Sequence, residues 1–230
     1  MNSLTKLIIV NLLLWNSISY AAPKNQFYGA IDGGIFEARF NNSYIDQTDL
    51  ISQNINDSSL QNGYTGGLAL GYTYLITARY FINVELAGNL DGNSALYQSG
   101  AANTAFSDKI ELANHTDLTF APGIITQNDF SPYLKLGISH ASVRDYVTSP
   151  AGYDPIFLQY NTNKNIFGVV AGLGVRYRMS DRVKLFAETN YHDYGSLNFS
   201  SFQNFSANYT HSTHIYTYSV VVGAMYDFNI

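Results

Sequence analysis

No cysteine occurs in the 230 residues. A disulfide framework is therefore excluded, and an exported chain of this size must be held by burial and backbone pairing alone. Charge is scarce as well: Asp, Glu, Lys and Arg make up 13% of the chain, against about 25% in ordinary soluble domains. Too few charged side chains are present to coat a water-facing surface. The 12 basic residues are outnumbered by 17 acidic ones, a formal net charge of −5, which argues against nucleic acid as a partner. Beyond residue 21 there is no apolar run of about 18 residues, so a helical membrane span is excluded. Glycine-rich phosphate loops, Cys/His metal clusters and heptads are missing too, and the sequence gives no reason to expect a metal or another cofactor.

What is present points to export and to strands. Residues 1–21 carry Lys6 in a short polar head, a largely apolar run from Leu7 to Trp15, and the small residues Ser19 and Ala21 at a cleavage position. This reads as a secretory signal, leaving residues 22–230 as one domain. Tyr (19) and Phe (14) are abundant, and bulky residues alternate with small ones over long stretches. In residues 64–76, Tyr64, Leu68, Leu70, Tyr72, Tyr74 and Ile76 share one parity, while Thr65, Gly67, Ala69, Gly71 and Thr73 share the other. The same split recurs at Tyr80 to Ala87, Leu134 to Ser139, Phe167 to Tyr177 and Tyr216 to Ile230, with weaker copies at 27–40, 113–126 and 182–194. Period two means strands, about eight of them.

The bulky face is continuous and the opposite face is small with a few charges, the reverse of a soluble ligand-binding barrel. If the bulky face meets lipid, Glu85, Lys135, Arg176 and Glu188 point into a lumen, where they neutralise one another. Turn lengths fix the register. A three-residue turn at Ser180-Asp181-Arg182 sets Tyr177 opposite Leu185 and Arg176 opposite Phe186, with Glu188 diagonal to Arg176. The same arithmetic at Thr77-Ala78-Arg79 sets Gly71 opposite Glu85. Short connections near 77–79, 127–131 and 180–182 alternate with long polar ones at about 41–63, 91–112, 145–165 and 195–212. The expected fold is an all-β, eight-stranded antiparallel up-and-down transmembrane barrel with short periplasmic turns and long extracellular loops.

The segments "FYGAIDGGIF", "GLALGYTYLITARYFINVELAG", "GVVAGLGVRYRMSDRVKLFAETNYHDYG" and "VVVGAMYDFNI" resemble the small eight-stranded outer-membrane proteins of the OmpA-barrel, OmpX and opacity-protein type. The chain departs from that family in ending at Ile230 rather than at an aromatic, with Phe228 two residues earlier. The resemblance implies a bacterial outer-membrane location, contact with outer-membrane lipids, and insertion by the outer-membrane assembly machinery.

An eight-stranded bore is just wide enough for side chains to fill, so function is expected in the extracellular loops, as surface interaction, adhesion or envelope integrity, rather than in catalysis. The loop-tip candidates are Phe199, Phe202 and Phe205, spaced by three in a segment without charge and suited to contact host-surface or other extracellular ligands. The alternatives are a narrow small-solute channel and a lipid A-modifying enzyme. For the enzyme, the sequence offers His140 with Ser142, His192 with Asp193, and His211 with Ser212 and His214, each read as an ordinary interfacial or loop histidine.

Overall fold

The structure, a computed structural model, describes residues 25–48, 52–92, 97–99, 106–148, 159–204 and 207–228. Residues 1–21, read above as a secretory signal, and Phe205 lie outside the described residues. Nine strands run in chain order: β1 (Gln26–Thr48), β2 (Ser52–Leu75), β3 (Tyr80–Gly92), β4 (Tyr97–Ser99), β5 (Phe106–Ile124), β6 (Phe130–Thr148), β7 (Gln159–Arg178), β8 (Val183–Asn204) and β9 (Ala207–Phe228). All pairings are antiparallel. The three-residue β4 resumes the line of β3 along β5, so the barrel has eight staves. Pairing of β3 with β5, and of β1 with β9, closes the sheet on itself. Closure is what lipid demands, because an open edge would leave unpaired N–H and C=O groups in hydrocarbon.

The registers follow the turn arithmetic. Tyr177 pairs with Leu185, Arg176 with Phe186, and Gly71 with Glu85. Each of the two three-residue turns is tied by a hydroxyl. Thr77 Oγ1 accepts from the amides of Arg79 and Tyr80, and Ser180 Oγ from those of Arg182 and Val183.

The long connections are different from what their composition implies. The stretches read as loops are mostly further strand: Gln47 pairs with Ser52, Thr148 with Gln159, and Asn204 with Ala207. Strands of 20 to 24 residues such as β1, β2 and β7 are about twice the 9–11 that a bilayer requires. Above the membrane both faces of a hairpin can be wet, so Asn, Ser and Thr replace the apolar alternation while the backbone ladder continues. Polarity there marks the surroundings of the strand, not its end.

The two faces separate cleanly. Ile31, Leu68, Leu70, Leu86, Leu136, Leu173, Val220 and Val222 are half exposed or more, forming an outward apolar belt. Tyr64, Tyr74, Tyr80, Tyr218 and Tyr226 also face outward, as interfacial aromatics do. On the inner face, four aromatics each lie over a glycine directly opposite on the neighbouring strand: Tyr28 over Gly71, Phe81 over Gly123, Tyr133 over Gly174, and Phe186 over Gly223. A Cβ added at any of these four glycines would meet the ring at 2.2 to 2.4 Å. The glycines are therefore seats for rings, and they let the sheet curve tightly.

Candidate functional site

The lumen is organised in tiers from the periplasmic end upward. At the base, Lys184 Nζ lies 2.7 Å from Asp227 Oδ2. Above it, the four expected interior charges come together. Lys135 Nζ donates to Glu85 Oε1 and to Glu188 Oε2, each at 3.0 Å. Each glutamate also accepts from a tyrosine: Tyr28 to Glu85 Oε2 at 2.8 Å, and Tyr133 to Glu188 Oε1 at 2.5 Å. Arg176 holds to the faces of rings instead, its guanidinium carbon 4.5 Å from the Tyr133 centroid, 5.5 Å from Tyr28 and 5.6 Å from Phe81. Turn arithmetic alone sets Arg176 beside Glu188. The structure interposes Tyr133 between them, because Gly174 makes room for its ring.

The next tier is one the sequence does not announce. His192 shares its parity with Glu188 and Asn190, so it enters the lumen, where it is 2% exposed, rather than sitting at an interface or in a loop. Its Nε2 lies 3.1 Å from Asp117 Oδ2, and its Nδ1 lies 3.2 Å from Thr217 Oγ1. His115 joins it from β5, with Nδ1 2.7 Å from Asp91 Oδ2 and Nε2 3.7 Å from Asp117 Oδ2. The two imidazoles meet edge to face with centroids 4.8 Å apart, and Tyr194 stacks on His192 at 6.0 Å. The absence of a recognisable metal-ligand spacing in the sequence reflects the distance along the chain between β5 and β8, which only the barrel brings together. A cavity of about 30 Å³ separates this tier from the charges below.

Above the histidines the lumen turns apolar. Phe36, Phe40, Ile110, Leu112, Val143, Ile166, Leu197 and Ile215 form one buried cluster. Leu112 and His115 differ in parity yet both point inward, because a register shift between Leu112 and Asn114 inserts an extra residue. Gly195, at φ +68°, accompanies a similar shift in β8, after which Leu197 turns inward. This apolar cork and the charged tier below it fill the bore with side chains at two levels.

The histidines considered for catalysis fall apart as pairs. His140 packs on the Phe167 ring at 4.9 Å, while Ser142 Oγ donates to Asn163. His192 and Asp193 lie on opposite faces of β8. Asp193 instead meets His214 Nε2 at 3.1 Å on the outer face, and Ser196 Oγ lies 3.3 Å from the other nitrogen of that ring. The neighbouring Gly195 amide donates to Asp193 Oδ1, so it is not directed at a substrate oxygen. The side chains of Phe199, Phe202 and His211 are outside what the structure describes, although the backbone of all three is strand.

No protein-family model matches the chain. It is similar to an uncharacterized protein of Coxiella burnetii, 28% identical over 253 aligned positions that cover 99% of this chain and 96% of that protein. It is also similar to the outer membrane protein PagN of Salmonella typhimurium, 21% identical over 202 positions, 84% of each chain. Among solved structures, the outer membrane protein OprG from Pseudomonas aeruginosa superposes with a TM-score of 0.53 at 14% identity, covering 91% of this chain and 99% of that one. At such identity the likeness speaks to architecture. A closed antiparallel sheet with its apolar belt turned to lipid and its ionised groups turned inward makes this protein a small eight-stranded β-barrel of the bacterial outer membrane.

Proposed function

We propose that the protein works through its extracellular hairpins, as a surface-interaction or adhesion protein that contacts host-surface or other extracellular ligands, with the barrel as its anchor. The observation that supports this reading is the apolar cork of Phe36, Phe40, Leu112, Val143 and Ile215 over a charged tier, which fills the bore along the line a solute would take. The strands continue as paired hairpins well past the apolar belt, giving the tips a rigid support. The tips then remain as the part that faces partners. Phe199, Phe202 and Phe205 are the proposed contact residues, since aromatic rings bring large contact area at small entropic cost. The outer-membrane assembly machinery is the partner in biogenesis.

The test replaces all three phenylalanines by Ser in cells displaying the protein and measures adherence to host-cell and matrix surfaces. Adherence falls to that of a deletion strain while the unheated barrel keeps its fast gel mobility. Unchanged adherence removes the proposal, and a stepwise current across a planar bilayer would favour the channel instead. The Asp193, His214 and Ser196 line at the outer rim supports a second reading, cleavage of an ester in an outer-leaflet lipid. Lipid A mass spectra that differ between wild type and Ser196→Ala cells are what that reading requires.

A further inference from the structure

We propose that the lumen binds a transition-metal ion, zinc fitting best, through Nε2 of His115, Nε2 of His192 and the carboxylate of Asp117.

The ligand-bearing atoms of these three residues lie within 4.8 Å of one another. His115 and Asp117 are two apart on β5 and so share its inner face, while His192 reaches across from β8. Each ring has committed its other nitrogen. Nδ1 of His115 is 2.7 Å from Asp91 Oδ2, and Nδ1 of His192 is 3.2 Å from Thr217 Oγ1. In the tautomers that donate Nδ1–H to Asp91 and to Thr217, both rings turn an Nε2 lone pair toward the Asp117 carboxylate. Two lone pairs and a carboxylate oxygen then converge as ligands for one cation; without a cation, His192 makes its 3.1 Å contact with Asp117 Oδ2 as an Nε2–H donor instead. A carboxylate or hydroxyl behind the non-ligating nitrogen is also the arrangement that holds a zinc-bound histidine in place.

Independent observations ask for the same charge. The Asp117 side chain is 6% exposed, and its Oδ1 has no hydrogen-bond partner. Oδ1 of Asp91 has none either, with that side chain 1% exposed. A buried carboxylate oxygen left without a donor is costly. In formal charge, Asp32, Glu85, Asp91, Asp117 and Glu188 face Lys135 and Arg176 in the central lumen, so three negative charges are left over. Lys135 is already shared by the two glutamates, at 3.0 Å from each.

Space and chemistry select the ion. The adjoining cavity of about 30 Å³ is large enough for an ion with a water ligand. Asn190 also lines it, and its Oδ1 has no partner in the protein. Two imidazoles and one carboxylate form a four-coordinate zinc site when a water is added, whereas calcium and magnesium call for more oxygens. Zn–N bonds of about 2.0–2.1 Å require the three groups to draw inward from their present spacing of up to 4.8 Å. The apolar cork above slows exchange with the medium, so an ion captured during folding stays.

The full-length, tag-free barrel folded in detergent with zinc, then dialysed against chelator-treated buffer, is assayed for metal by mass spectrometry. Cobalt(II) replaces zinc for a visible spectrum. Wild type is expected to retain one zinc per chain and to show intense tetrahedral cobalt bands. His115→Gln and His192→Gln should each lose most of the metal, and His214→Gln on the outer face should lose none. Because a lumen substitution can disturb folding, Asp91→Asn serves as a second variant, keeping all three ligands and the side-chain volume. It should weaken affinity by about 10- to 100-fold while gel mobility shows a closed barrel. Zinc retained equally by wild type and the His115→Gln/His192→Gln double variant overturns the proposal, as does a weak octahedral cobalt spectrum in wild type or loss of the metal in His214→Gln.

Discussion

The Tyr133 ring carries the Arg176 guanidinium over its face at 4.5 Å, while its hydroxyl donates to Glu188 at 2.5 Å. One side chain thus touches a cation with its π surface and an anion with its edge, joining opposite charges that do not meet directly. Tyr28 does the same between Arg176 and Glu85. The interior charges act as one network whose links are tyrosines.

Removing Arg176 leaves Glu85 and Glu188 to share Lys135 alone inside the bore. Arg176→Met should lower stability by about 3–5 kcal/mol, the cost of leaving buried charge uncompensated. Urea unfolding in lipid vesicles measures it. Arg176→Lys should restore only part, since an ammonium lacks the flat surface that three rings enclose.

Gly174 is the seat for Tyr133. Its added Cβ would fall 2.3 Å from the ring, so Gly174→Ala should destabilise by about 1–3 kcal/mol. Pairing it with Tyr133→Ala in a double-mutant cycle should recover much of that cost. Gly88, on the outer face, has nothing within 4 Å of where a methyl would be added, and Gly88→Ala should stay within about 0.5 kcal/mol of wild type.

The outward belt sets a third expectation. Leu70→Arg and Val220→Arg each place a cation in hydrocarbon, at an expected cost of about 2–4 kcal/mol near the midplane. Folding yield and unfolding midpoint in vesicles report it. A cost near zero would mean that these residues do not face lipid.

The cork is tested by truncation. Phe40 and Ile215 are both at 0% exposure. Phe40→Ala should cost about 3–5 kcal/mol, and Ile215→Val about 0.5–1.5 kcal/mol. Chemical unfolding of the two variants should preserve that order.

Register is legible in the sequence because side-chain period and turn length both constrain it. Once Leu70 and Tyr72 face lipid, a three-residue turn at 77–79 leaves Gly71 no partner on β3 but Glu85. Inward direction is legible for the same reason in Glu85, Lys135, Arg176 and Glu188. What fills the space beside Gly71 is not, because Tyr28 arrives from β1 through a pairing that no local turn reveals.

The hairpins escape a reading of composition for a different reason. Asn, Ser and Thr carry no face preference once lipid is gone, so residues 41–63 offer no alternation to read even though the ladder runs to Gln47 and Ser52. His192 is within reach of sequence reasoning, since its even position matches Glu188 and Asn190. Pairing it with Asp193, its immediate neighbour, puts adjacency ahead of parity, and adjacent strand residues face opposite ways. The partnership of His115 with Asp91 lies beyond reach, because it depends on the closing of β3 against β5.

Strands β1 and β9 are partners from Phe27 with Phe228 to Thr48 with Ala207. The seam therefore joins the two segments made earliest and latest among the described strands. The hairpin of β1 with β2 needs only the first part of the chain, but the other edge of β1 stays unpaired until β9 arrives. Closure of the cylinder is thus a property of the whole sequence, and a lesion that removes β9 leaves an open edge rather than a smaller barrel.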